Sequence, residues 1–84
     1  MTPKRLFSGQ EIVAALTRGG FVIQRQRGSH VSMVLRKEGC APRVTVVPMH
    51  NPVPRGTLMS ILKLAGLTEE EFLDLAKVRR KGQE

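Results

Sequence analysis

Apolar residues recur with the period of a helix in three segments of the chain. A capping box of the form S-x-x-E, Ser8–Glu11, opens the first segment, whose apolar stripe ends at a left-handed stop in Gly19-Gly20. A stripe at i, i+3, i+4 and i+7 begins at Leu58 and predicts a second helix that Gly66 ends. A second capping box, Thr68–Glu71, predicts a short final helix.

Three segments between the first two helices have the character of β-strands. Residues 21–27 begin apolar and end polar, residues 30–36 alternate with the odd-numbered positions more apolar, and residues 43–47 are rich in β-branched side chains before Pro48. The predicted fold is α+β, with an α-β-β-β-α order and a short additional C-terminal helix. Both main helices then cover one face of an antiparallel sheet. The alternation directs His30 toward the other, open face.

The second and third predicted strands can pair in two registers. If residues whose numbers sum to 80 are opposite, His30 faces His50, and the two imidazoles form a candidate acid/base pair. A sum of 79 aligns Leu35 with Val44 and keeps the apolar set on one face. We prefer the sum of 79, which predicts that His50 is a structural or ligand-contacting residue at the end of a loop.

The charge of the chain points to a polyanionic partner. Fourteen Lys and Arg residues against seven Asp and Glu residues give a formal net charge of +7, as in many proteins that bind nucleic acid. Three Phe with no Trp or Tyr argue against an aromatic platform for single-stranded bases. Recognition of a duplex through its shape and phosphates needs no such platform.

Length and composition predict one cytoplasmic domain. A chain of 84 residues builds one small hydrophobic core, so we assign 1–84 to a single domain with a frayed basic tail at 78–84. Its one cysteine, Cys40, cannot form an internal disulfide, which fits a reducing compartment. No apolar run reaches the roughly 18 residues of a membrane span, so we expect no membrane association.

The segment from Arg27 to His30 carries the strongest chemical signal. Imidazole is the one side chain that exchanges a proton near neutrality without help from its surroundings, so His30 is the candidate general acid or base. We expect Gly28 to allow close approach of a phosphate and Ser29 to act as a hydrogen-bonding orienter. The residues expected to contact RNA are Arg25, Arg27, Gly28, Ser29 and Arg36.

If the polyanionic partner is RNA, its cleavage needs only a small set of groups. The substrate supplies its own nucleophile, the 2′-hydroxyl, so one histidine and a few arginines suffice for proton transfer and stabilisation of the phosphate. A serine triad is disfavoured because no acid lies near in sequence, although Glu38 remains a candidate in space. The acids lack the clustering of a two-metal nuclease, and one Cys with two His lacks a fourth zinc ligand. We therefore predict no metal and no cofactor.

Several segments together carry a resemblance to a known family. They are Ser8-Gly9, Gly19-Gly20-Phe21, Arg27-Gly28-Ser29-His30, Val46-Val47-Pro48-Met49-His50, Gly56-Thr57-Leu58, Ile61-Leu62-Lys63 and Ala65-Gly66-Leu67. Over nearly its whole domain the chain resembles the HicA, or YcfA-like, family of small toxin ribonucleases. The resemblance implies a double-stranded-RNA-binding-like fold, cleavage of messenger RNA, a catalytic histidine that maps onto His30, and neutralisation by a HicB-type antitoxin.

One departure and two alternatives accompany the resemblance. Family members often place a further histidine or an aromatic residue just after this segment, whereas Val31, Ser32 and Met33 follow here, so fewer auxiliary groups are at hand. The first alternative is a non-catalytic double-stranded RNA-binding module in which His30 is a surface hydrogen-bonder. The second is a subunit that only binds other proteins.

Overall fold

The computed structural model describes residues 5–77, in which helices cover one face of a three-stranded sheet. In chain order the elements are α1 (Gly9–Arg18), β1 (Val22–Arg27), β2 (His30–Leu35), β3 (Arg43–Pro48), α2 (Arg55–Ala65) and α3 (Glu69–Leu75). This confirms the predicted α+β fold and its additional C-terminal helix. The basic tail predicted at 78–84 lies outside the described residues.

Both predicted capping boxes are present. The Ser8 hydroxyl accepts from the Glu11 amide at 3.1 Å, and the Glu11 carboxylate accepts from the Ser8 amide at 2.9 Å. Thr68 and Glu71 make the same reciprocal pair at the start of α3, at 3.0 and 2.8 Å. Each box satisfies two amides that lack partners at the start of a helix, which fixes where the helix begins.

The helices pack against the sheet through the predicted apolar stripes. Their buried apolar side chains are Ile12, Ala15, Leu16, Leu58, Ile61, Leu62, Ala65, Phe72 and Leu73. All three phenylalanines are buried, and the rings of Phe7 and Phe72 meet edge to face with centroids 5.1 Å apart. Gly66 ends α2 at a φ of 72°, the left-handed conformation that glycine adopts without steric cost.

The sheet is an antiparallel meander in the order β1-β2-β3, but its β2–β3 register differs from both predictions. His30 pairs with Pro48, so opposite residues sum to 78, and the sums of 79 and 80 are wrong. The preference for 79 assumed that only apolar side chains of β3 would face the core. Thr45 also faces the core and is fully buried. Its burial is favourable because its hydroxyl donates to the Ile61 carbonyl at 2.9 Å.

The open face of the sheet carries the even-numbered residues of β2. His30 is exposed there, whereas Val34 is buried because its partners on the two neighbouring strands, Val22 and Val44, flank it. The actual register also puts Val44 and Val46 on this face, 43% and 42% exposed. The open face therefore has a small apolar centre, with His30 toward one end.

Candidate functional site

The β1–β2 hairpin brings His30 and Arg27 together. The two residues are directly paired, so their side chains stand side by side on one face of the sheet. Gly28-Ser29 forms the two-residue turn between them, and Gly28 has a φ of 58°. A positive φ at the first turn position is the hairpin geometry that favours glycine. Apart from Gly28 and its two chain neighbours, no residue has an atom within 4 Å of where a Gly28 Cβ would be, so the space beside it is open to a ligand.

Arg25 joins this pair on the same face. It is opposite Ser32, two pairs along the strands from His30. Arg25, Arg27 and His30 are all exposed. The hairpin therefore presents two guanidiniums and one imidazole to solvent within a short stretch of backbone.

The described arginines fall into two groups by what they contact. Four have partners: Arg5 and Arg55 pair with Glu11 and Glu69, and Arg18 and Arg43 donate to the carbonyls of Leu75 and Gly66. Within residues 5–77, Arg25, Arg27 and Arg36 have no hydrogen-bond or ion-pair partner. Their guanidiniums can bind an anion without first breaking a contact.

Arg36 is separated from the other predicted RNA contacts. It follows the last residue of β2, six residues from His30, a distance of about 20 Å along an extended strand. The structure thus groups Arg25, Arg27, Gly28 and Ser29 around His30 and leaves Arg36 at the opposite end of the sheet.

The end of β3 ties the hairpin to α1, a connection that sequence reasoning missed. The Met49 amide donates to the Ser29 carbonyl at 2.6 Å, and the Gly9 amide donates to the His50 carbonyl at 2.8 Å. A Cβ on Gly9 would lie 2.4 Å from a carbonyl oxygen of β3, so a glycine is needed where α1 begins. The Ser8-Gly9 pair was the one signal of this contact in the sequence.

His50 lies two residues beyond Pro48, the partner of His30, and is exposed. His50 therefore lies in the loop that follows β3, and its role as a structural or RNA-contacting residue stays a prediction. No hydrogen bond joins Ser29 to His30 among the described residues, so the orienting role of Ser29 also stays a prediction.

Within residues 5–77, no hydrogen bond or ion pair joins a carboxylate to Arg25, Arg27 or His30. Glu38 is in the turn after β2, at the opposite end of that strand from His30, so the possible approach of Glu38 to His30 is not observed. Glu11 and Glu71 belong to the capping boxes, where the backbone amides of Ser8 and Thr68 lower the pKa of each carboxyl group. Within residues 5–77, no three His, Cys, Asp or Glu side chains are grouped closely enough to hold a metal ion.

Comparison with known families matches residues 9–67 to the HicA toxin of bacterial toxin-antitoxin systems. The match begins with α1, contains the whole sheet and ends just after α2, so it includes every predicted site residue. A search of curated proteins finds no match. None of the helices in the described part of the chain is long and apolar enough to span a bilayer.

Proposed function

Because this chain belongs to the HicA family of toxins of bacterial toxin-antitoxin systems, we propose that it is an endoribonuclease that cleaves messenger RNA. The observation that carries the proposal is the pair at the end of the β1–β2 hairpin. There an exposed imidazole, His30, is opposite Arg27, which has no partner among residues 5–77. A proton-transfer group beside a phosphate-binding cation is the minimum that RNA cleavage asks of a protein.

The proposed reaction is attack of the substrate's 2′-hydroxyl on the adjacent phosphorus. The 2′-oxygen forms a bond to phosphorus and loses its proton. The bond from phosphorus to the 5′-oxygen breaks, and the 5′-oxygen gains a proton. His30 performs one of these proton transfers, and at so exposed a position water is available for the other. Arg27 and Arg25 stabilise the negative charge that develops on the phosphate, while the open space beside Gly28 admits it.

The partners follow from this chemistry. Messenger RNA as substrate places the reaction in the cytoplasm, and a toxin of this family implies an antitoxin. We propose that the antitoxin is of the HicB type and that it inhibits the enzyme by covering the open face of the sheet. Arg36 is the outlying member of the proposed RNA contacts and would bind the strand far from the cleaved bond.

A second candidate function is supported by one observation. A catalytic base is often held in a fixed orientation by a hydrogen bond. Among the described residues, no side chain makes such a bond to His30. A non-catalytic RNA-binding module would use the same exposed cations without needing an oriented imidazole.

Incubation of the purified protein with unstructured RNA, without antitoxin, separates the two functions. The ribonuclease produces fragments that disappear with His30→Ala and persist with His50→Ala, a matched change at the exposed histidine outside the hairpin. A shifted but intact RNA band with the wild-type protein would instead establish the binding module.

A further inference from the structure

Strand β1 has one residue more than the part of β2 with which it pairs. Ile23 is opposite Met33 and Arg25 is opposite Ser32, so Gln24 has no pairing position of its own and forms a β-bulge. The Ser32 hydroxyl donates to the Gln24 side-chain oxygen at 3.3 Å. Gln24 and Arg25 therefore both stand on the side of the sheet occupied by Ser32.

This bulge decides which β1 side chains share a face with His30. Strand residues alternate between the two faces of a sheet. Without the extra residue, Gln26 would be opposite His30, and Arg25 would be opposite Val31 on the helix-covered side. With it, Arg27 is opposite His30 and Gln26 is opposite Val31. The bulge thus brings Arg25 and Arg27 to the open face and takes Gln26 away from it.

Packing of the core gives no reason for a bulge at this point. All six residues of β1 are exposed, and Ile23 remains 55% exposed although it is on the helix-covered side. A shift of one residue in the alternation would therefore leave the buried apolar set unchanged. Its effect falls on the charged residues that follow Gln24.

We propose that the Gln24 bulge is a positioning element for RNA, which turns Arg25 and Arg27 onto the His30 face so that they bind neighbouring phosphates. The two arginines are about 7 Å apart along the strand, a spacing that suits adjacent phosphates of one RNA strand. This inference rests on the proposed function and adds to it the feature that selects which cations reach the substrate. The competing role is blunting of the β1 edge against pairing with other chains, in which the positions of the arginines are immaterial.

Two charge isomers distinguish these roles, because each keeps the composition and net charge of the chain. Q26R/R27Q moves a guanidinium from the His30 face to the helix-covered side. Q24R/R25Q exchanges the two residues that both stand opposite Ser32, so its guanidinium stays on the same side. Neither change removes a buried side chain, since β1 is exposed throughout.

RNA affinity is measured against salt concentration in a His30→Ala background, where the RNA stays intact, and cleavage is measured with His30 present. We expect Q26R/R27Q to weaken binding about three- to tenfold near physiological salt and to flatten the slope of log affinity against log salt by about one. It should bind no better than R27Q alone. Q24R/R25Q, whose guanidinium stays on the His30 face, should weaken binding less than Q26R/R27Q does, and cleavage should follow the same order.

Equal effects of the two isomers would overturn the inference, as would an affinity of Q26R/R27Q above that of R27Q. Thermal unfolding checks that each isomer is folded, and if Q26R/R27Q is not, R27Q and Q26R are compared singly, with loss expected only for R27Q. A protein with His30 present that binds RNA without cleaving it would overturn the proposed nuclease and still leave the isomers to decide on the bulge. Absence of RNA binding would overturn both.

Discussion

His30 and Thr45 show how the face of the sheet on which a residue lies sets the task of its side chain. His30 is exposed and directly paired with Arg27, away from the buried residues of the core. Thr45 is on the helix-covered face, fully buried, with its hydroxyl bonded to α2. Substitution of His30 should therefore alter the chemistry of the protein, and substitution of Thr45 should alter its stability.

His30→Ala should abolish RNA cleavage and leave the fold intact, because an exposed side chain contributes little to packing. Cleavage and thermal unfolding are measured on the same preparation. Cleavage at the wild-type rate by a folded His30→Ala protein would end the assignment of His30 as the catalytic group.

Thr45→Val should destabilise the protein by about 1 kcal/mol, since it keeps the shape of the side chain and removes a buried hydrogen bond. Thr17→Val is the matched control, because the Thr17 hydroxyl also donates to a helix carbonyl, that of Val13, but is exposed. We expect the control to change the free energy of unfolding by less than about 0.5 kcal/mol. Chemical denaturation of both variants measures the difference, and equal effects would contradict a special role for the buried bond.

At the scale of the elements, the two capping boxes link helix stability to pH. The pKa of Glu11 and that of Glu71 are lowered mainly by the backbone amides of Ser8 and Thr68. A folded-state pKa below the usual 4.5 means that the stabilisation is complete above that pH and is lost as the pH falls through the lowered pKa.

Replacing Glu11 or Glu71 by Gln should therefore flatten the fall in unfolding temperature between about pH 5 and about pH 3. Glutamine keeps an oxygen that can accept from the capping amide but does not titrate. Glu38→Gln, at a glutamate outside both capping boxes, is the control for the loss of one carboxylate. An unchanged profile in the double variant E11Q/E71Q would contradict the linkage.

Helices and strands were predictable because their signals are local. The capping boxes, the apolar stripe of α2 and the alternation in β2 each occupy one short segment, and each is present in the structure. The face on which His30 lies followed from that alternation. Features that depend on a partner element were not predictable in the same way.

The β2–β3 register and the Gln24 bulge are two such features. A buried Thr45 is favourable only because the Ile61 carbonyl of α2 lies within reach, so a match of apolar residues within the hairpin gave the wrong register. A bulge is defined by the strand opposite it, and β1 read alone contains no mark of an extra residue. The length of β2 separates Arg36 from His30. Arg36 was predicted to belong to the site because of its charge alone.

On the scale of the whole molecule, the acids of residues 5–77 make no ion pair with the free cations of the hairpin. The carboxylates of the described residues belong to the capping boxes, to the turn after β2 and to α3, whereas the cations without partners include Arg25 and Arg27 on the hairpin. A carboxylate cluster suited to two metal ions is not formed near His30 by residues 5–77. Cleavage should therefore persist in excess EDTA. If EDTA removed the activity and a divalent ion restored it, the metal-independent acid/base mechanism would be wrong.

Control of the toxin is expected to act on the same face. A ribonuclease with an exposed histidine would damage its own cell unless that surface were covered, and its arginines attract an acidic or hydrogen-bonding partner surface. The apolar centre made by Val22, Val44 and Val46 adds area that a protein partner can bury. Leu62, by contrast, is buried in the core and offers no such surface.

Hydrogen exchange on the complex with a HicB-type antitoxin tests direct masking. Masking predicts slower exchange, relative to the free toxin, concentrated in Gly28–Ser32 and the neighbouring open-face strands. The exchange rate of each amide in the free toxin is the reference. Slow exchange caused by hydrogen bonds within the sheet is therefore not attributed to the partner. Inhibition at a distance, with the antitoxin bound to the helices, predicts protection confined to Leu58–Phe72. In that case the histidine segment would exchange as fast in the complex as in the free toxin, and direct masking would be refuted.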